Sequence, residues 1–500
     1  EAILAQYEEE AKERNLEGYV ITLQFPSLLP ILTYAENREL RKELAIANGK
    51  KSFDGGEFDN QNLIKELVKL RQEKAQLLGY KSFADYVLEE RMAKSPQKVL
   101  EFLNELLTKA KPFAEKEVEE LSVLAKADGI TEMQSYDHAY YAEKLRKQKF
   151  DFNDEELKPY FQLDKVQEAV FGLAGKLFGL EFVETTDIQK YHADVKTYEI
   201  FERCETRDNR YEIENVESLE TRNPELGTQF KALLYADYHP RKGKRAGAWM
   251  TSFKNQYIKN GKNHRPHISV VCNFTKPTAE TPSLLTFNEV TTLFHEFGHA
   301  LHGILANTQY PNLSGTSVKW DFVELPSQFL ENYCYEPEFL KTFAKHYQTG
   351  EVLPDEKIQK IEDSKNFMEG YQTLRQLSFG ILDMSYHAEN VKVEDVKTFE
   401  TETIKATQVY PTLSETAVST SFSHIFQGGY SAGYYSYKWA EVLDADAFQY
   451  FKENGVFDPL ISKKFKTLLE SGGTKDPMEL YKNFRGSEPK VESLLKRAFG

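Results

Sequence analysis

The chain has 500 residues, a formal net charge of −15, 40% hydrophobic and 28% charged residues. That is the make-up of a soluble globular protein, long enough for about three domains or one large unit with a buried core and a deep cleft. The acidic balance argues against a nucleic-acid partner, and no apolar run reaches the roughly 18 residues of a membrane span. Three widely separated cysteines, Cys204, Cys272 and Cys334, read as reduced packing residues and not as a disulfide framework.

In chain order, apolar residues at three- and four-residue steps predict helices over Ile3–Arg14, Glu36–Asn48, Asn60–Leu78, Phe83–Met92, Pro96–Asp128 and Tyr136–Lys147. Pro26 to Pro30 breaks the first pair, and Ser95 with Pro96 marks a capped helix start. No chemical cluster stands out in residues 1–185, which read as a helical wall. Over 186–275 the period changes. Val195–Glu202, Phe230–Tyr238, Ala246–Ser252 and His267–Phe274 are β-branched and aromatic, and polar turns separate them. A small antiparallel sheet is expected. Such a sheet either packs on neighbouring helices or accepts a peptide as an added strand, with Gly247 and Ala248 allowing close approach. The acidic run Glu202–Glu225 reads as an exposed insertion.

Residues 276–500 read as a helical catalytic region. Thr286–His302, TFNEVTTLFHEFGHALH, opens with a capping box, Thr286 and Glu289, and carries a buried stripe of Phe287, Val290, Phe294, Phe297, Leu301 and Ile304. It contains His295-Glu296-x-x-His299. Positions i and i+4 share a helix face, so both imidazoles can reach one ion, and Glu296 can act as base toward water. The bland alternative is a polar face whose histidines do no chemistry. His302 reads as a supporting or packing residue, because a catalytic zinc needs an open position. A metzincin would carry Gly at 302 and His at 305; His302 and Leu305 exclude that class. A third ligand from a later helix is then required. Ser314–Tyr333, SGTSVKWDFVELPSQFLENY, offers Glu324 and Glu331, which residue chemistry alone does not separate.

HEFGHALHG followed by SGT, DFVELPSQ and EN resembles the thimet oligopeptidase / peptidyl-dipeptidase (dipeptidyl carboxypeptidase) family of zinc peptidases. The resemblance implies a mostly helical, zincin-type peptidase with its small sheet beside a deep substrate cleft, and helices of the wall bordering the substrate channel. It assigns the third ligand to Glu324, 25 residues after His299, and leaves Glu331 a supporting place. The implied cofactor is one Zn2+ per chain on His295, His299 and Glu324, with Glu296 as general base.

Beyond this site, Glu338–Gly350 and Pro354–Leu382 read as helices, and LRQLSFGILDMSYHA as core. SFSHIFQGGYSAGYYSYKW, 421–439, is a second chemical stretch. Its glycine pair permits an approachable loop, and Tyr430, Tyr434 and Tyr437 share a face if a helix begins near Ser431. Aromatic-rich helices are usually core, but phenols and an imidazole also suit an oxyanion. The resemblance gives His424, Tyr430 and Tyr437 substrate contact and transition-state stabilisation, and Tyr434 a further substrate contact. The six-residue step from His424 to Tyr430 fits the dipeptidyl carboxypeptidase branch. SGGTKDPMELYKNFRG resembles the family's C-terminal signature.

The expected function is zinc-dependent hydrolysis of oligopeptides with release of C-terminal dipeptides. The alternatives are an endo-acting oligopeptidase of the same family, a catalytically silent peptide-binding protein, and a structural metal site, which the open ligand position of a two-histidine, one-glutamate set disfavours. Expected partners are short peptides only, with no nucleic acid, no membrane span and a monomeric chain. The cytoplasm is the expected location, with the periplasm or cell envelope as alternative. By the same resemblance, Gly18–Arg41 lies close to the start, so part of the family's N-terminal segment is expected to be absent.

Overall fold

The computed structural model describes residues 2–150, 156–203, 227–241, 243–245, 247–277 and 280–500. Cys204, Ala246 and most of the acidic run lie outside them. The chain divides into two compact units: Glu1–Phe152 with Asp363–Lys438 and Ala498–Gly500, and Asn153–Glu362 with Trp439–Arg497.

The first unit is helical. Its longest helix, Pro96–Ala127, starts as expected, with Pro96 in the first turn and the Ser95 hydroxyl accepting from the Lys98 amide. Val99, Leu103, Leu106, Ala110, Ala114 and Leu121 form its buried stripe, which packs on the helix Glu369–Tyr386. The Glu117 carboxylate accepts from the amides of Gly370 and Tyr371, satisfying two of the donors that a helix N-terminus leaves open. The Pro26–Pro30 segment is not a break. It lies inside a helix, Phe25–Tyr34, because a proline in the first turn removes only an amide with no intrahelical partner, and Pro30 forfeits a single bond.

The second unit carries the sheet: β1 (Leu180–Glu184), β2 (Lys196–Arg203), β3 (Thr228–Asp237), β4 (Trp249–Lys254) and β7 (His267–Val271), in the order β1-β2-β3-β7-β4. A separate hairpin pairs β5 (Tyr257–Lys259) with β6 (Lys262–His264) through Asn260-Gly261, both at positive φ, the backbone that a two-residue hairpin turn needs. The expectation of an antiparallel sheet is corrected. β3 and β7 run parallel, with Leu234 opposite Ile268. The chain leaves β3, forms the edge strand β4 and the hairpin, and only then inserts β7 between β3 and β4, so the two central strands are far apart in sequence and share a direction.

The helix Phe287–Leu305 lies on this sheet. Its residue Gly303 meets Ile268 of β7 and Met250 of β4, and Phe297 packs against Phe171 and Phe182 at 5.6 Å between ring centroids. The capping box is present: Thr286 Oγ1 accepts from the Glu289 amide at 3.2 Å, and the Glu289 carboxylate from the Thr286 amide at 2.8 Å. At the other end the buried Arg265 guanidinium donates to the carbonyls of Ile304 (2.7 Å) and Ala306 (2.9 Å), a cation on the negative end of the helix. Both ends are fixed by side chains, so the histidines between them stand on a rigid element. No helix among the described residues is long and apolar enough to cross a membrane.

Candidate metal centre

His295 and His299 lie one turn apart on one face of the helix Phe287–Leu305, with ring centroids 5.0 Å apart. Glu324 precedes the short helix Leu325–Glu331 and turns its carboxylate toward both rings: Oε2 is 3.4 Å from His295 Nε2 and 3.2 Å from His299 Nε2. The ligand atoms of the three residues lie within 4.8 Å of one another, the only such set of three His, Cys, Asp or Glu among the described residues. Two imidazole nitrogens and a carboxylate oxygen, converging with no fourth protein ligand among the described residues, fit a catalytic zinc site.

Glu324 and Glu331 differ in where they meet His295. Seven residues make two turns, so both carboxylates face the same side of their segment. They meet opposite nitrogens of one ring. Glu324 is at Nε2, while Glu331 Oε1 is 2.6 Å from His295 Nδ1. Donation from Nδ1 fixes the ring's orientation and leaves Nε2 as the atom that could hold a metal. Burial disfavours the charged imidazole, yet the bonds to Glu324 and Glu331 outweigh it and lift His295 to about 10. Burial pushes Glu324 the other way, but its two histidines hold it well below the usual carboxylate range. The Ser327 hydroxyl donates to the same Oε2 at 2.9 Å and fixes the carboxylate in place.

Glu296 is 7% exposed. Burial raises its proton affinity, and the Met250 amide of β4 donates to its carboxylate. The residue suits a proton carrier. His302 is fully buried, neither ring nitrogen has a hydrogen-bond partner among the described residues, and burial depresses it to about 3. It is a neutral packing residue beside Phe322, with ring centroids 6.5 Å apart.

One residue that the sequence reading passed over is Gly298, between the two histidines. A Cβ there would stand 2.5 Å from Ser327 Cα and closer still to the Pro326 carbonyl oxygen. The helix carrying the histidines and the helix following Glu324 therefore touch backbone to backbone. The available signal was a glycine inside a helix, which costs about 1 kcal/mol relative to alanine and is kept for a reason.

The aromatic stretch belongs to the first unit. The helix expected near Ser431 begins at Ser436, because Ala432 takes a left-handed backbone (φ +50°) that interrupts helical continuation. The loop nevertheless gathers the side chains. Tyr430 stacks on Tyr437 at 5.2 Å, His424 lies 5.7 Å from Tyr430 and from Tyr434, and Tyr434 is 5.3 Å from Tyr437. Tyr434 is buried, donates to Gln376 at 3.2 Å and is pushed up to about 12 by burial, whereas His424 is exposed and Tyr430 and Tyr437 are half-buried. A Cβ on Gly428 would lie 2.9 Å from the His424 carbonyl, so only glycine fits that turn. Gly247 (φ +98°) and Ala248 precede β4 instead of lying within it, and Gly247 is exposed.

Comparison with known proteins agrees with this geometry. The Peptidase family M3 model matches residues 31–213 and 205–499. Oligopeptidase A of Escherichia coli (strain K12) is 40% identical over 99% of this chain and 71% of its own length. Dipeptidyl carboxypeptidase of the same organism is 37% identical over 98% of this chain and 69% of its own. A solved structure of PZ peptidase A with an inhibitor superposes with a TM-score of 0.54 at 18% identity, covering 99% of this chain and 74% of that one, a likeness of fold. With three residues gathered that could hold a metal and the family model matched along nearly all of its length, the chain belongs to Peptidase family M3 and is a metallopeptidase.

Proposed function

We propose that the chain hydrolyses peptide bonds in short peptides, with zinc held by His295, His299 and Glu324. The observation that carries this is the convergence of two imidazoles and one carboxylate beside a buried Glu296 of raised proton affinity. Zinc bound there supplies a Lewis acid for the scissile carbonyl and lowers the pKa of water. Glu296 takes the proton of the attacking water and hands it to the leaving nitrogen. Glu331 keeps His295 oriented, and Ser327 keeps Glu324 oriented. His424, Tyr430 and Tyr437 contact substrate and donate to the developing oxyanion, with Tyr434 as a further contact; their motif spacing and common cluster support these roles. The edge position of β4, with Gly247 and Ala248 ahead of it, supports binding of the peptide as an added strand.

Release of C-terminal dipeptides is the finer reading, supported by the His424 to Tyr430 spacing. A second reading, cleavage at internal bonds, is supported by the somewhat higher identity to an oligopeptidase A than to a dipeptidyl carboxypeptidase. A decapeptide and its C-terminally amidated twin separate the two. Stepwise loss of two residues, weakened by amidation, supports dipeptide release, and internal cuts indifferent to amidation overturn it. We place the enzyme in the cytoplasm as a monomer; the free, buried thiol of Cys272 is in keeping with a reducing compartment.

A further inference from the structure

The loop that carries the aromatic cluster is built around a carboxylate from another element. Asp383, on the helix Glu369–Tyr386, is fully buried and accepts three consecutive amides: Ala432 on Oδ1 (2.8 Å), and Gly433 (2.8 Å) and Tyr434 (2.9 Å) on Oδ2. Successive amides that converge through a left-handed residue form an anion-binding nest, and Ala432 is that residue. Gly433 shares its N–H with the Tyr430 carbonyl, also at 2.8 Å, so the nest and the turn bearing Tyr430 are one unit.

The carboxylate is itself held from behind. His387 Nδ1 lies 2.9 Å from Asp383 Oδ1 and 2.8 Å from the Asp383 carbonyl, and its Nε2 lies 2.9 Å from Arg71 Nη1. A guanidinium only donates, so Nε2 accepts; the imidazole is then neutral, with its proton on Nδ1 pointing at Asp383. Arg71 also donates to the Phe426 carbonyl at 3.4 Å, two residues beyond His424. Arg71, His387 and Asp383 thus form one directed chain from a cation to the loop, touching it near His424 and at Ala432–Tyr434.

We propose that Asp383 is the positioning residue for the catalytic use of this loop: its carboxylate in the nest Ala432–Tyr434 sets where His424, Tyr430 and Tyr437 stand, and His387 and Arg71 hold the carboxylate in place. The proposal rests on the reading that the loop's hydroxyls act on the substrate. A buried aspartate that only supported the helix would not need three amides of a distant loop.

The test is Asp383→Asn, whose amide offers one acceptor oxygen where the loop presents three donors. It is placed in the wild-type chain and in the Tyr430→Phe/Tyr437→Phe background, with peptide cleavage measured per mole of zinc-loaded protein. In the wild-type background kcat falls about a hundredfold, the scale of a misplaced catalytic group, while KM moves little. In the tyrosine background the same change costs less than about threefold, because what it positions is already gone. In the metal-free proteins, hydrogen exchange at Ala432, Gly433 and Tyr434 accelerates in Asp383→Asn while amides of Phe287–Leu305 keep their rates. An unchanged kcat, or a full loss that adds to the tyrosine loss, overturns the proposal. Wild-type kcat in the tyrosine double variant fails differently: it removes the catalytic role of the loop itself and so leaves Asp383 nothing to position. If Asp383→Asn does not fold, His387→Gln takes its place, keeping the carboxylate but loosening it, with a loss of about tenfold and the same non-additivity.

Discussion

Two carboxylates near His295, those of Glu296 and Glu331, sit in different surroundings and are expected to do different work. Glu296 is buried and carries a raised proton affinity, which suits the proposed proton carrier, whereas Glu331 bonds to His295 Nδ1 and suits an orienting part. Glu296→Gln preserves shape and leaves the three ligands untouched, so metal content by atomic absorption stays at the wild-type level while kcat falls about a thousandfold. Glu331→Gln removes the charge that holds His295 Nδ1. Its expected signature is a metal affinity lower by about 10–100-fold in competition with a chelator, and near-normal turnover at saturating zinc. Equal metal affinity in that variant would leave the 2.6 Å contact without a function.

The contact of two helices decides whether Glu324 reaches the histidines. Gly298 lets the helix Phe287–Leu305 touch the backbone at Pro326 and Ser327, directly after Glu324. Gly298→Ala must push these segments apart. Overpacking of this kind costs about 1–3 kcal/mol, read as a lower denaturation midpoint, and the displaced Glu324 should weaken metal binding as well. A variant with normal midpoint and normal affinity would show that the gap closes without cost. Much at this scale was legible in the sequence. The capping box of Thr286 and Glu289, the apolar stripe of the same helix and the Ser95-Pro96 start each follow from local rules, and each is present. Glu324 against Glu331 was not legible from residue chemistry, since seven residues put both on one face; only three-dimensional placement shows which nitrogen each meets. The parallel pairing of β3 with β7 was hidden because β4 and the β5–β6 hairpin separate them in sequence, whereas in the sheet β7 sits directly between β3 and β4. The left-handed Ala432 had no local signal, because its cause is the carboxylate of Asp383, 49 positions earlier.

Over the whole molecule, residues 363–438 join residues 1–152 in one compact unit, and 439–497 return to the other. Such long-range closure leaves no trace in local periodicity. The first unit also holds a group whose titration its stability should follow. His138 stacks on Tyr371 at 3.7 Å and lies 2.8 Å from the Tyr410 hydroxyl; burial, with Arg375 adding to it, depresses it to about 4 from 6.5. The unfolded chain takes up this proton first as pH falls. The stabilisation is therefore complete above pH 6.5 and is lost progressively toward pH 4, by about 3 kcal/mol at the limit. Denaturation midpoints of the wild type should fall over that window more steeply than those of His138→Gln; parallel slopes would refute the assignment.

The most direct test of the account is mass spectrometry of a decapeptide incubated with the protein as purified, with the chelated protein, with the chelated protein resupplied with zinc, and with zinc-loaded Glu296→Gln. The account predicts cleavage in the first, none in the second, recovery in the third and at most a trace in the fourth. Cleavage that survives complete metal removal, or undiminished cleavage by zinc-loaded Glu296→Gln, would contradict it.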